Sequence, residues 1–200
     1  AYTAIHADGS AISWGDPASG GDSSNVDFSP GIEKIQTVFY GFAALLRDGS
    51  VVSWGRQDLG GDSSRVSDEI SSGVVDISST FTAFAALKSD GSVVTWGNPN
   101  LGGSSFLVTD QISSGVERVF STGYAFAALK SDGSVVTWGS KIKGGDSSAV
   151  SHQLSGGVTE VFSNDAAFAA LKVDGSVVTW GHNISPVSYT HLRAHETSSN

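Results

Sequence analysis

The chain has 200 residues, with 20 Asp and Glu against 11 Lys and Arg for a net charge of -9, and it contains neither Cys nor Met. The absence of cysteine excludes a disulfide framework and thiol chemistry. No Lys/Arg stripe or cluster of stacking aromatics supplies a nucleic-acid footprint, and no apolar run approaches the ~20 residues of a membrane span.

Read from the first residue, the elements repeat. Tyr2 to Gly15 reads as a hairpin turning at Asp8-Gly9 and closing on Ser13-Trp14-Gly15. A Gly-Gly-Asp-Ser-Ser block follows at 20 to 24, then a short strand candidate, Ile32 to Ile35, preceded by Gly31. The next hairpin, Phe42 to Gly55, turns at Asp48-Gly49, and the cycle restarts. Later cycles carry strand candidates at Val74 to Ile77, Val116 to Val119 and Val158 to Val161, each followed by a hairpin containing Asp-Gly-Ser-Val-Val-Thr-Trp-Gly at 90 to 97, 132 to 139 and 174 to 181. The tryptophans Trp14, Trp54, Trp96, Trp138 and Trp180 are therefore spaced 40, 42, 42 and 42 residues apart, a period at which each unit is one supersecondary module stacked on its neighbours.

The hairpin at Phe84 to Gly97 serves as the type unit. Asp-Gly between two apolar runs favours a two-residue type I′ loop. That loop places Ser89 opposite Ser92, Leu87 opposite Val94 and Ala85 opposite Trp96, with Phe84, Ala86, Val93 and Thr95 on the other face. Both faces are then apolar, as in a strand pair sandwiched between layers, and the Trp face of one unit would pack on the Phe face of the next. In this scheme Trp180 is the least covered tryptophan. A fourth strand, or a single helical turn, is expected around Ser64 to Ile70.

Small sheets of three to four antiparallel strands recurring about every 40 residues indicate an all-β fold, a β-propeller. A linear β-solenoid is the competing architecture, but solenoid coils have shorter periods and lack a tight hairpin in every unit. The Ala-Ala pairs at 43 to 44, 85 to 86, 127 to 128 and 169 to 170 suit inner strands near an axis.

The stretch Ala-Ala-Leu-Lys-Ser-Asp-Gly-Ser-Val-Val-Thr-Trp-Gly, at 85 to 97 and 127 to 139, resembles the repeat signature of the regulator of chromosome condensation family. The resemblance covers residues 1 to 186 and implies a propeller of seven blades, of which about five are present here. The short period and the Ser-Gly-Val lead-in at 72 to 74 and 114 to 116 are similar to the short-repeat form found in propeller inhibitors of β-lactamases. Two departures stand out. The family's Gly-Gln-Leu-Gly after Trp-Gly is replaced by Gly60-Gly-Asp-Ser-Ser64, and its Cys-Gly-x-x-His stretch by Ser121-Thr-Gly-Tyr-Ala125, so nucleotide-exchange activity is not carried over.

Residues 187 to 200 are expected to be non-native. Val187-Ser-Tyr-Thr-His-Leu-Arg-Ala-His-Glu-Thr197 is what one frame of the transposase-end and adapter sequence of tagmentation libraries encodes. With no initiator Met visible, the chain reads as an open arc of a longer propeller. His191 and His195 have the i, i+4 spacing of zinc ligands but fall inside this tail, and the sequon at Asn183 borders it.

Two sets of positions are candidates for chemistry. Asp22, Asp62 and Asp146 of the Gly-Gly-Asp-Ser-Ser blocks could offer oxygens to calcium, yet one carboxylate per site is thin and Ser104 stands in the Asp place of one unit, so a capped turn is the better reading. No cofactor is expected. The segments that vary most between units are those after Trp-Gly and those before the Ala-Ala strand, and both fall on the rim away from the Asp-Gly turns. There Tyr40, Phe81 and Tyr124 would supply aromatic anchors and Arg56, Lys141 and Lys143 charged contacts to a protein partner. No acids, bases or metal ligands recur as a set, so the expected function is a protein-interaction scaffold without catalysis of its own. The rival readings are a structural repeat arm of a larger ubiquitin-ligase-like or surface protein, and behind it a propeller enzyme or calcium-binding repeat.

Overall fold

The structure, a computed structural model, describes residues 1 to 182. The expected tail, the sequon and the His191/His195 pair lie outside the described residues. The fold is an arc of five β-propeller blades. Blade one has two strands, β1 (Tyr2–Ile5) and β2 (Ala11–Trp14). Blades two to five have three each: β3 (Ile32–Val38), β4 (Gly41–Leu46) and β5 (Val51–Gly55); β6 (Val74–Ser79), β7 (Ala83–Lys88) and β8 (Val93–Gly97); β9 (Val116–Ser121), β10 (Ala125–Lys130) and β11 (Val135–Gly139); β12 (Val158–Ser163), β13 (Ala167–Lys172) and β14 (Val177–Gly181). All pairings are antiparallel, with the middle strand of each three hydrogen-bonded on both sides.

The Asp-Gly turn is longer than the sequence suggests. Lys88 N–H donates to Ser92 O and Gly91 N–H to Lys88 O, so the loop is Ser89-Asp90-Gly91, with only Gly91 at positive φ (79°). This is the three-residue hairpin with a bulge at glycine. Asp90 favours it because its Oδ1 accepts from Ser92 N–H (2.9 Å) and from the Ser92 hydroxyl (2.6 Å). One extra loop residue slides the register by one and exchanges faces. Phe84 therefore lies opposite Trp96 and Ala86 opposite Val94, while Ala85 and Leu87 oppose Thr95 and Val93. Phe and Trp share a face, their rings stacked at 5.2 Å, and the same pair recurs in every blade, as Tyr2 and Trp14 in the first.

The packing between blades follows. The Phe/Trp face of each blade lies on the Ala/Leu/Val face of the blade before it: Phe84, Ala86, Val94 and Trp96 on Ala43, Leu45 and Val51, then Phe126 and Trp138 on Ala85, Leu87 and Val93. Each later indole N–H also reaches back to a glycine carbonyl, Trp96 to Gly60, Trp138 to Gly102 and Trp180 to Gly144, at 3.1 to 3.2 Å. Bulky aromatics thus face backward, not forward. Trp180, expected to be bare, is 8% exposed, whereas Trp14 is 50% exposed.

One further expectation changes, and one open alternative is decided in favour of the helical turn. The Ala-Ala strand is the middle one; the inner strands are β3, β6, β9 and β12, which contact one another in succession. Alanine is selected there because the middle strand is covered on both faces, Ala43, Ala44, Ala85 and Ala86 being fully buried. The fourth-strand candidate is a 3-10 turn at Ser64–Val66 leading to Ile70, which plugs the gap between two blades and gives its carbonyl to Val51 N–H; Ile112 and Leu154 repeat this.

Candidate functional site

The rim opposite the Asp-Gly turns is built around the ends of the inner strands. Main-chain bonds link the blades there: Phe39 N–H to Phe81 O (2.8 Å), Phe81 N–H to Gly123 O (2.9 Å) and Gly123 N–H to Asp165 O (3.0 Å). These four residues occupy one repeat position and line an open funnel of about 520 Å³ with the neighbouring strand ends. Buried Thr80 and Thr122 brace the rim. The Thr122 hydroxyl accepts from Tyr124 and Ala125 N–H and donates to Lys143 O, and Thr80 does the same for Thr82, Ala83 and Leu101. Asn164 caps the same bend in blade five.

On this frame the three expected aromatics come together. Phe81 stacks on Phe39 at 4.4 Å and meets Tyr124 edge-on at 5.0 Å, while Phe39 meets Tyr40 edge-on at 6.4 Å. Phe39 is 62% exposed and Tyr40 42%. The tier runs on to Gly123, because a Cβ there would lie 2.5 Å from the Phe81 ring. Two expected cations flank it. The Arg56 guanidinium sits 5.6 Å from the Tyr40 ring and Lys143 Nζ 5.5 Å from Tyr124. Asp58 orients Arg56 at 2.9 Å; their hydrogen bond holds the Asp58 carboxyl below the usual carboxylate range and raises Arg56. Lys141 departs from the group, lying exposed beside Asp146 in a groove with Phe106 and Leu107.

The Gly-Gly-Asp-Ser-Ser blocks form turns. Asp22, Asp62 and Asp146 each accept from the backbone N–H two residues on, the bond that chiefly lowers their pKa, and Ser63 and Ser147 hydroxyls pair with Ser53 and Thr137 of the outer strands. No group of three or more metal-ligating side chains occurs among the described residues.

Sequence reasoning missed Phe39, which sits next to Tyr40 in the same variable segment. It also missed a charge series on the inner strands: Lys34 pairs with Asp76 at 2.6 Å and Arg118 with Glu160 at 2.7 Å. These four share one repeat position, so aligning the units at a period of 42 exposes the alternation of sign.

No protein-family model matches the sequence, and no curated protein matches it. Solved structures do match. Prp20p from Saccharomyces cerevisiae, described with its binding to Gsp1p and histones, aligns at TM-score 0.53 and 20% identity over 76% of this chain and 44% of that one. The same yeast RCC1 protein bound to Kap60 aligns at 0.54 and 20% identity, with the same coverage. The receptor kinase CR4 ectodomain from Physcomitrella patens aligns at 0.50 and 15% identity, over 78% of this chain and 40% of that one. At these identities the likeness shows the fold alone, a β-propeller, and the chain spans less than half the length of these structures.

Proposed function

We propose that this chain is a protein-binding propeller scaffold without catalysis of its own, and that it recognises its partner through the rim bearing Tyr40, Phe81 and Tyr124. The observation that carries the reading is their convergence with Phe39 into one braced, partly exposed aromatic tier flanked by Arg56 and Lys143. Aromatic and arginine side chains dominate binding energy at interfaces, and rigid anchors lose little entropy on docking. Binding of Prp20p to Gsp1p and histones, on a similar fold, supports a protein partner. In the same reading Lys141 steers association from outside the tier.

The test is capture of partners from lysate by the chain, followed by alanine changes measured on any partner retained. Tyr40, Phe81 and Tyr124 changes should each weaken binding on the order of tenfold or more, and Arg56 and Lys143 changes less. Changes at Ser89, Ser131 and Val173, beside the opposite turns, should be silent. Equal losses from both sets, or no retained protein, would refute the rim as a binding surface.

A further inference from the structure

We infer that the groove between the connector from blade three to blade four and the outer strand β11 is a second binding surface, which takes a peptide segment pairing an apolar side chain with a carboxylate. The groove shares no lining residue with the funnel on the rim. The connectors between blades repeat one plan. Val66, Val108 and Val150 turn inward against the blade cores, and the two residues before each are exposed. In the neighbouring connectors those two are Ser64-Arg65 and Ser148-Ala149. Here they are Phe106 and Leu107, 84% and 86% exposed. Such exposure gains nothing for the fold, whereas a partner that covered both side chains would remove their apolar area from water.

The groove holds about 470 Å³, with Trp138 among the residues beneath it and Lys141 on the wall facing the apolar pair. Lys141 is unlike the other lysines. Lys34, Lys88, Lys130 and Lys172 each donate to a carboxylate or carbonyl at 2.6 to 2.7 Å, and Lys143 lies over Tyr124. Among the described residues Lys141 has no hydrogen bond, ion pair or aromatic partner. Asp146, the carboxylate in the groove, is committed to its own turn and accepts from Ser148 N–H at 2.9 Å. Residues 139 to 146 thus carry two lysines against one aspartate, in a chain of net charge -9. An unpaired cation beside an apolar cleft is complementary to a carboxylate next to the apolar group that fills it. Phe106 and Leu107 stand too far out to be covered from within the cleft, which favours a peptide over a small amphiphile.

The test selects a phage-displayed library of random peptides on the whole chain. Retained peptides should pair Leu, Phe or Met with Asp or Glu. Phe106→Ser together with Leu107→Ala installs the residues of the next connector, Ser148-Ala149, and should leave Tm unchanged. That double change should weaken a retained peptide on the order of tenfold or more, read by fluorescence anisotropy. Lys141→Gln should weaken it several-fold and remove most of its salt dependence. Lys141→Glu should redirect the selection to peptides with Lys or Arg in place of the acid, a readout that does not depend on the double variant. Tyr40→Ala should leave the peptide's Kd unchanged, which separates the groove from the rim. No enrichment of apolar-acidic peptides, equal binding to the double variant, or acidic peptides still selected by Lys141→Glu would overturn the inference. So would octanoate binding in place of any peptide, or self-association abolished by the double change, since either assigns the groove another occupant. Peptides lost on Tyr40→Ala instead would belong to the rim, overturning the groove while leaving the rim reading intact.

Discussion

Replacing Trp96 by alanine separates the backward-facing packing from the forward-facing arrangement read from the sequence. Trp96 is 4% exposed, stacks on Phe84, lies over Ala43, Leu45 and Val51, and donates its N–H to Gly60 O at 3.1 Å. Truncating a large buried aromatic costs about 3 to 5 kcal/mol, to which the orphaned Gly60 carbonyl contributes. For a domain of this size that corresponds to a fall in Tm of roughly 6 to 20 °C. Trp180→Ala should fall in the same range, because Trp180 makes the equivalent bond to Gly144 and is 8% exposed. Trp14→Ala should cost about 1 kcal/mol or less, since its half-exposed side chain has little burial to lose. The measurement is thermal and urea unfolding followed by far-UV circular dichroism. A smaller loss for Trp180→Ala than for Trp14→Ala would refute the backward packing.

Two further outcomes follow from the turns and the rim. Gly123→Ala should push Phe81 off its stack with Phe39, since the new Cβ would lie 2.5 Å from that ring; near-UV circular dichroism should change while Tm falls by only a few degrees. Stability should also fall in acid. The Ser92 hydroxyl and N–H that bind Asp90 hold its pKa below the ordinary 3.8, and Asp8, Asp48, Asp132 and Asp174 are held in the same way. The unfolded chain therefore takes up protons first as the pH drops. The contribution is fully present above 3.8 and is lost as the pH falls through the lower folded values. Asp90→Asn should flatten that part of the pH profile of urea midpoints; an unchanged profile would show that the bond to Ser92 does not bind the carboxylate.

Blade number, strand class and the location of the variable rim were legible because they depend on periodicity, and a period of 42 is visible without knowing any contact. The register was not. Asp-Gly is shared by two hairpin loops that differ by one residue, and the choice between them rests on Ser92 returning a bond to Asp90, a signal that the Asp-x-Ser spacing in all five turns did carry. Every error of facing, from the Phe/Trp pair to the exposure of Trp180, descends from that single residue. The inner position was misassigned for a different reason: small side chains report burial on both faces, and the middle strand has that burial without touching the axis. On the rim, variability between units picked out Tyr40, Phe81, Tyr124, Arg56 and Lys143 as candidates, but their mutual contacts depend on the turn of one blade relative to the next. Lys141 shares their segment and was grouped with them by sequence proximity alone.

The main-chain bonds that join Phe39, Phe81, Gly123 and Asp165 make no demand on side chains. Across those four positions the residue changes from aromatic to glycine to acidic while the bond length stays between 2.8 and 3.0 Å. On this rim, beyond the side-chain packing of the blade faces, one link at each of these junctions is thus made by atoms that mutation leaves in place. Side chains at Phe39, Phe81 and Asp165 can then drift, or be randomised in a library, while the main-chain links keep their form, Gly123 being held small by the Phe81 ring; the same tolerance lets a repeat be copied first and diversified afterwards.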